Sequence, residues 1–391
     1  MRLLRYAPRL LQVLAILALL FLLPWWTLLA SPTWPTSVLA AGTAVFVLAF
    51  LGLPTLMFLG HGPRQLDAAA RAGDTLLGVT WVLFSWSVIG NIARPALLLA
   101  GVPNPTRARI VAVAVLVIAL ALVVYGVIEA RRVPRVRTVE VAIPDLGPGL
   151  DGLRVAVIAD THFGPIDRKR WSEKVVEVVN GLNPEMACHV GDLADGSVAR
   201  RRAQVDPLAG VRAELGKFYV VGNHEHFGEA PGWLSRMTEL GWEPLVNRHR
   251  VVCRGGDRLV VAGTDDPAGA GKMPGHGPDL EAALAGADPE VPVLLLAHQP
   301  RQVAEAARLG VALQISGHTH GGQIWPFHYL VRIEQPVLAG LSRHGQRTQL
   351  YTSRGTGFWG PPLRVFAPSE ITLLILRASD QGHAQPGHDN S

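Results

Sequence analysis

Cysteine is nearly absent from this sequence, with only Cys188 and Cys253 in 391 residues. Two cysteines build neither a disulfide scaffold nor a multi-cysteine zinc site. Acids and lysine are scarce in the first third. Residues 1–137 hold twelve Arg, no Lys and three acids (Asp67, Asp74 and Glu129), for a net charge of +9. They also hold a single histidine, His61, whereas the other 13 follow residue 137. The remainder carries −4, so the overall +5 describes neither part. An apolar content of 49% and a mean hydropathy of +0.25 exclude a disordered or fibrous chain.

Apolar sequence fills the acid-poor third. Four stretches, at 10–29, 37–59, 75–100 and 110–128, are each long enough to cross a ~30 Å hydrocarbon core, which takes about 20 apolar residues. Buried helices of a soluble core would explain one such stretch but not four in succession. Trp25, Trp26 and Trp34 lie near the end of the first, where indole rings favour the membrane interface. That stretch is long for a secretory signal, and Leu28, Leu29 and Ala30 make a poor cleavage site, so it reads as an uncleaved anchor. With four spans, the N-terminus, the 60–74 loop and everything after Ile128 share one side. That side carries nine Arg against three (Arg94, Arg107 and Arg109), which places the C-terminal part in the cytoplasm. Asn91 and Arg94 sit within the third stretch, but Pro95 and the span's end are close, so snorkelling explains the arginine better than a transport pathway. The expected organisation is a four-span transmembrane domain at 1–130, a linker at 131–152 with one short strand at 139–143, a second domain at 153–377 and a polar, disordered tail at 378–391.

Beyond the linker, short apolar runs at 155–159, 186–190, 217–221, 259–262, 293–297 and 313–316 alternate with helical patterns. Runs without polar alternation suit strands buried on both faces, and their alternation with helices implies an α/β sheet covered by helices. Sites in such sheets form at the carboxyl ends of the strands. The chain places there, in order, Asp160 and His162, Asp192 and Asp195, Asn223 and His224, His298, and His318 and His320. The i, i+2 spacing of Asp160/His162 and of His318/His320 puts each pair on one face of an extended segment. So many oxygen and imidazole groups exceed the four ligands of a closed zinc site, and suit two ions about 3.5–4 Å apart sharing a carboxylate. Mixed nitrogen and oxygen ligation suits manganese, iron or zinc alike.

In order and spacing these clusters resemble the D-x-H, G-D-x-x-D, G-N-H-[DE], H and G-H-x-H motifs of calcineurin-like metallophosphoesterases. The resemblance covers about residues 138–377. SGHTHGGQIWP and YTSRGTGFWGPPLRVFAPSEITLLIL are similar to the bacterial YkuE/YaeI-type branch. It implies a double β-sandwich flanked by helices. It also implies two divalent ions, one within Asp160, His162, Asp192 and His320 and the other within Asp192, Asn223, His298 and His318, with Asp192 bridging. His224 resembles the family's non-ligand catalytic histidine, and Asp195 the carboxylate that orients it. One departure is Thr161 and Phe163 on either side of His162, where many relatives have Leu; this leaves the ligands intact and touches only the packing behind them.

The implied chemistry is direct attack on phosphorus by hydroxide formed on the metals, with no covalent intermediate. The membrane domain points to lipid partners and to a lipid-linked phosphoester or pyrophosphate, a UDP-diacylglucosamine-type pyrophosphate being the candidate that relatives suggest. Two other readings are a tethered phosphodiesterase of soluble nucleotides and a non-enzymatic metal-binding sensor. The −4 charge argues against nucleic acid as a partner. Of the remaining residues, His189 reads as a packed strand histidine and Cys188 as core, while His226 either reaches substrate or is an ordinary loop residue. The aromatic runs at 324–329 and 358–359 either pack in the core or meet acyl chains, and Arg200, Arg201 and Arg202 form a solvated helix face.

Overall fold

The computed structural model describes residues 2–272 and 275–379. They form two compact units, the first comprising residues up to Arg131 together with Ile324–Pro326 and Gly360–Phe366.

The helices of this first unit are α1 (Arg2–Trp25, prolonged by a π-helical turn Trp26–Ala30), α2 (Thr36–His61), α3 (Asp67–Leu99) and α4 (Thr106–Arg131). All four are long and apolar enough to cross a membrane. Small residues let the helices approach, as expected where lipid supplies no hydrophobic drive. A Cβ on Gly60 would come within 2.4 Å of the Ala70 backbone nitrogen, and one on Gly90 within 2.8 Å of Val115. Asn91 works in this packing: its Nδ2 donates to Thr27 Oγ1 at 2.7 Å and to Ser87 O at 2.8 Å. Arg94 lies 5.1 Å over the Trp26 ring.

The sequence reading placed one boundary near residue 130; the structure draws the division differently. Ile324, Leu363 and Val365 cluster with Val82 and Ala119 of the helices. Trp81 Nε1 donates to Ile324 O at 3.3 Å, and Arg364 N donates to Gly126 O at 3.0 Å. The physical reason is shape: a Cβ at Gly78 would strike Leu363 at 2.6 Å, and one at Gly126 would come 3.1 Å from Val365.

The second unit holds two six-stranded mixed sheets. The strands are β1 (Arg135–Pro144), β2 (Arg154–Ile158), β3 (Met186–Val190), β4 (Lys217–Val220), β5 (Glu243–Pro244), β6 (Arg248–Arg254), β7 (Asp257–Gly263), β8 (Val293–Leu296), β9 (Leu313–Ser316), β10 (Gly340–His344), β11 (Thr348–Thr352) and β12 (Glu370–Ser379). One sheet runs β1-β12-β2-β3-β4-β5 and the other β10-β11-β9-β8-β7-β6. Their facing residues form one core, with Val157, Cys188 and Val220 from the first sheet and Val261, Leu296 and Ile315 from the second. Helices α5 (Lys169–Gly181), α6 (Val198–Val205), α7 (Asn223–Phe227) and α8 (Ala230–Glu239) follow strands of the first sheet. Trp171, Val175, Trp233 and Met237 of α5 and α8 cover its outer face. Helices α9 (Leu280–Leu284) and α10 (Val303–Arg308) cover the second through Leu280, Ala283 and Ala306, and α11 (His328–Glu334) has no buried residue. The result is the helix–sheet–sheet–helix order that the family resemblance implies.

Within residues 131–152, the short strand expected at 139–143 is longer and belongs to a sheet. Strand β1 is ten residues long and pairs in parallel with all of β12, from Arg135 opposite Glu370 to Pro144 opposite Ser379. Its polar, exposed first half masks it in the sequence, because only Val141, Ile143 and Pro144 are buried. Of the expected tail, residues 378 and 379 end β12; the rest lies outside the described residues.

Candidate metal centre

Strands β2, β3 and β4 of the first sheet run parallel to one another, as do β8 and β9 of the second, so within each sheet their carboxyl ends align. Each is followed within a few residues by a polar cluster. Asp160 and His162 follow β2, Asp192 and Asp195 follow β3, and Asn223 and His224 open α7 after β4. His298 follows β8, and His318 and His320 follow β9. The backbone there is held in an unusual shape. Asp160, His162, Asp192, His318 and His320 all have positive φ, between 43° and 70°. Each such residue costs about 1–3 kcal/mol, and strain of this kind concentrates at functional sites. Glycines make the turns close: a Cβ on Gly191 would lie 2.6 Å from His298 Nδ1, and one on Gly317 2.4 Å from Asp160 Oδ2.

The side chains converge as two triads. Asp160, His162 and His320 form one and Asp192, His298 and His318 the other, with the donor atoms of each within 4.8 Å of one another. Asp192 Oδ2 stands between the triads, 3.5 Å from His162 Nε2 and 3.2 Å from His298 Nε2. His162 Nε2 and His320 Nε2 face each other at 3.1 Å. Three atoms of this set, Asp160 Oδ2, Asn223 Oδ1 and His298 Nε2, are buried without a hydrogen-bond partner. Leaving such groups unmade costs about 1–3 kcal/mol each, more for charged ones, and bound cations would satisfy them. The donor chemistry fits. His298 Nδ1 donates to Val190 O at 2.8 Å, which leaves the Nε2 lone pair for a metal.

The electrostatics follow from burial and crowding. Burial raises Asp160 to about 6. Burial pushes Asp192 the same way, but His298, His224 and His162 overcome it and hold the carboxyl well below its usual range. Burial lowers His318 to about 3, so its ring is neutral and available. His224 is pulled down by burial, yet Asp192 and Asp195 raise it to about 9. Asp195 Oδ1 lies 2.7 Å from His224 Nδ1 and 3.0 Å from His162 Nδ1, so one carboxylate orients both rings.

Eight of the nine residues singled out in the sequence therefore meet in one place, and the ninth, Asn223, is the chain neighbour of His224 with a buried, unpartnered Oδ1. Others became visible only in the fold. Glu225 is fully buried and its carboxylate accepts from the backbone N–H groups of Asp192, Leu193, Ala194 and Gly222 at 2.6–3.2 Å. Burial, with Asp192 nearby, pushes it up to about 7. Arg168 donates through Nη2 to the carbonyls of Thr161 and His162, and its guanidinium lies 4.5 Å over Phe358. Arg201, expected on a solvated face, is buried and donates to Asp195 O at 3.0 Å. The exposure of Arg200 and Arg202 fits that face, but the helix turns Arg201 inward. His189 packs against the rings of Tyr219 and Trp242.

Two triads joined by one carboxylate, at the strand ends of paired mixed sheets, form clusters that could hold metal ions in the manner of a metallophosphoesterase. A family model described as calcineurin-like phosphoesterase matches residues 153–322. A transmembrane protein with metallophosphoesterase domain from Danio rerio is 38% identical over 269 residues, 67% of this chain and 62% of that protein. An uncharacterized metallophosphoesterase of Campylobacter jejuni is 30% identical over 345 residues, covering 85% of this chain and 88% of the relative. The uncharacterized metallophosphoesterase YkuE of Bacillus subtilis is 29% identical over 240 residues, 59% of this chain and 82% of that one. This chain spans about three fifths of the length of the zebrafish protein and of its Bos taurus counterpart (62% and 60%). The chain belongs to the calcineurin-like metallophosphoesterase family, and its four apolar helices make it a membrane protein of that family.

Proposed function

We propose that this protein is a membrane-anchored phosphohydrolase that hydrolyses a phosphoester or pyrophosphate bond of a lipid-linked substrate at the cytoplasmic face. The observation that carries the hydrolase reading is the convergence of two His/Asp triads joined through the Asp192 carboxylate, with buried, unpartnered atoms on Asp160 and His298. Asp160, His162, Asp192 and His320 would hold one divalent cation, and Asp192, Asn223, His298 and His318 the other. Two such cations neutralise phosphate oxygens and make bound water acidic enough to react near neutral pH.

The chain's own groups do the rest. His224 Nδ1 is engaged by Asp195, so its Nε2 is the nitrogen left for the leaving oxygen. With the ring held toward its cationic form by Asp192 and Asp195, Nε2 donates that proton as the bond to phosphorus breaks. Asp195 positions His162 in the same motion. Glu225 fixes the backbone that carries Asp192. Two aromatic rings flank His224, Phe227 at 5.5 Å and Trp359 at 5.8 Å, and both are substantially exposed. Apolar rings at the exit for a leaving group favour an acyl or similarly apolar substrate portion. The arginine distribution supports the cytoplasmic orientation.

The test uses the full-length protein in detergent with manganese, zinc or iron(II). Mixed micelles of a lipid-linked pyrophosphate are compared with cyclic nucleotides and an activated diester. Faster turnover of the lipid substrate supports the reading. A preference for nucleotides transfers it to soluble substrates, and no hydrolysis of any of them returns the site to metal binding alone. A C-terminal reporter fusion that is active only outside the cytoplasm overturns the orientation.

A further inference from the structure

His226 lies two residues beyond His224, yet its imidazole belongs to a different group. Its Nε2 stands 2.6 Å from Oδ1 of Asp265, and Nδ1 of His276 stands 2.9 Å from Oδ2 of the same carboxylate. The donor atoms of these three residues lie within 4.8 Å of one another, and none belongs to the two triads. Asp265 is completely buried, and the two imidazoles are its only ion partners among the described residues. A buried carboxylate with no Lys or Arg beside it needs positive charge from another source.

The carboxylate is also prepared for one. Asp266 N donates to Oδ1 at 2.8 Å and Gly277 N donates to Oδ2 at 2.9 Å. A carboxylate oxygen accepts in about two directions, so one direction on each oxygen is fixed by backbone and the other faces a histidine. Ligating carboxylates in metal sites are held in this way, by N–H donors behind the bonds they offer. The site is shielded: the side chains of His226 and His276 are 4% and 14% exposed. A Cβ on Gly269 would come within 2.7 Å of the His226 ring and 2.9 Å of Asp265 Oδ2.

We propose that His226, Asp265 and His276 form a third metal site, mononuclear and separate from the dinuclear centre, for a divalent cation of the zinc, iron(II) or manganese class. Two imidazoles and a carboxylate suit those ions and not magnesium or calcium. Metal–nitrogen bonds of about 2.0–2.1 Å place tetrahedral donors roughly 3.3 Å apart, so the imidazoles need to withdraw by less than about 1 Å. Once occupied, the site ties the segment after β7, which carries Asp265 and His276, to α7, the helix that opens with Asn223 and His224. Its role is to fasten that helix, not to touch substrate.

The test is the metal content of full-length protein in detergent, loaded with zinc and passed over a chelating resin. Three ions per chain in the native sequence and two in His276→Gln support the third site. Two ions in both proteins, or three in both, overturn it. Asp192→Ala separates this site from the dinuclear reading: an ion retained there and lost when His276→Gln is added supports the third site, and an ion content that the addition leaves unchanged overturns it. Should His276→Gln fold poorly, cobalt(II) loading of Asp192→Ala answers independently. The visible absorption of tetrahedral cobalt supports the proposal, and a colourless protein overturns it.

Discussion

The helical unit and the α/β unit use apolar residues in opposite ways. In the first, Leu48 and Leu120 are 71% and 64% exposed. In the second, Leu153 and Ile158 are wholly buried. The helical unit relies on glycine and alanine for contact between helices, and turns large side chains towards what a lipid bilayer supplies. The α/β unit closes a conventional core between two sheets. Polar groups differ as well. Asn91 donates from its amide to Thr27 of the π-helical turn after α1 and to Ser87 O of its own helix, whereas Asp160, Asn223 and His298 keep buried atoms unpartnered. The difference shows where each unit tolerates free-energy cost. The helical unit satisfies the Asn91 amide within its packing, and the α/β unit leaves Asp160, Asn223 and His298 atoms open at the strand ends, where bound cations would complete them.

The comparison breaks most severely at that point. Replacing Asp192 by Ala should lower turnover by more than about 10³-fold and release the dinuclear ions; activity and metal analysis of the detergent-solubilised protein check both. Next comes His224→Gln, expected to lower kcat by about 10²–10⁴-fold with the dinuclear ions retained. Loss of a metal from that variant would make His224 a ligand and not the proton donor. A paired substitution addresses the apolar contrast directly. Leu153→Ala should destabilise by about 2–5 kcal/mol, while Leu48→Ala should change stability by less than about 0.5 kcal/mol. Thermal unfolding in detergent micelles measures both, and equal losses would erase the distinction drawn here.

The smallest effect concerns pH. In metal-free protein Asp160 sits near 6, above its usual carboxylate value because it is buried. A raised carboxyl favours the protonated folded state, so metal-free protein gains stability as pH falls from about 6 towards the unfolded value near 4. Metal uptake runs the other way. Below about pH 6 the same proton competes with the cation, and affinity should fall by about tenfold per pH unit from this group. Titrating metal binding between pH 5 and 7, as assay conditions, checks the slope; Asp160→Asn should flatten it.

Much of this was legible in the sequence because the signals are local. Long apolar runs mark α1 to α4, and apolar strands that stop at Asp, His or Asn mark the ligands. What was hidden depends on partners distant in the chain. Glu225 closes the G-N-H-[DE] motif in the sequence but has no role there until four backbone N–H groups from two loops point at it. Asp265 lies 39 residues from His226 and 11 from His276, a spacing without a motif. The first half of β1 reads as linker, with a strand expected only at 139–143, because that half is exposed and its pairing partner, β12, lies at the other end of the domain. The apolar segments at 324–326 and 360–366 were visible, but their destination was not. It depends on glycines at 78 and 126 that leave room for them.

Those two short segments have a consequence for how such a protein is built and inherited. By its contacts the chain passes from one unit to the other five times between the first helix and the last strand. A gene fusion that cuts at residue 131 would not release a self-contained cassette, because ten further residues would keep apolar side chains shaped for helices no longer present. An anchorless descendant would have to rewrite both loops as it lost the helices. Here the membrane part takes in two segments from the later stretch of the chain, so the two parts are not modules in series.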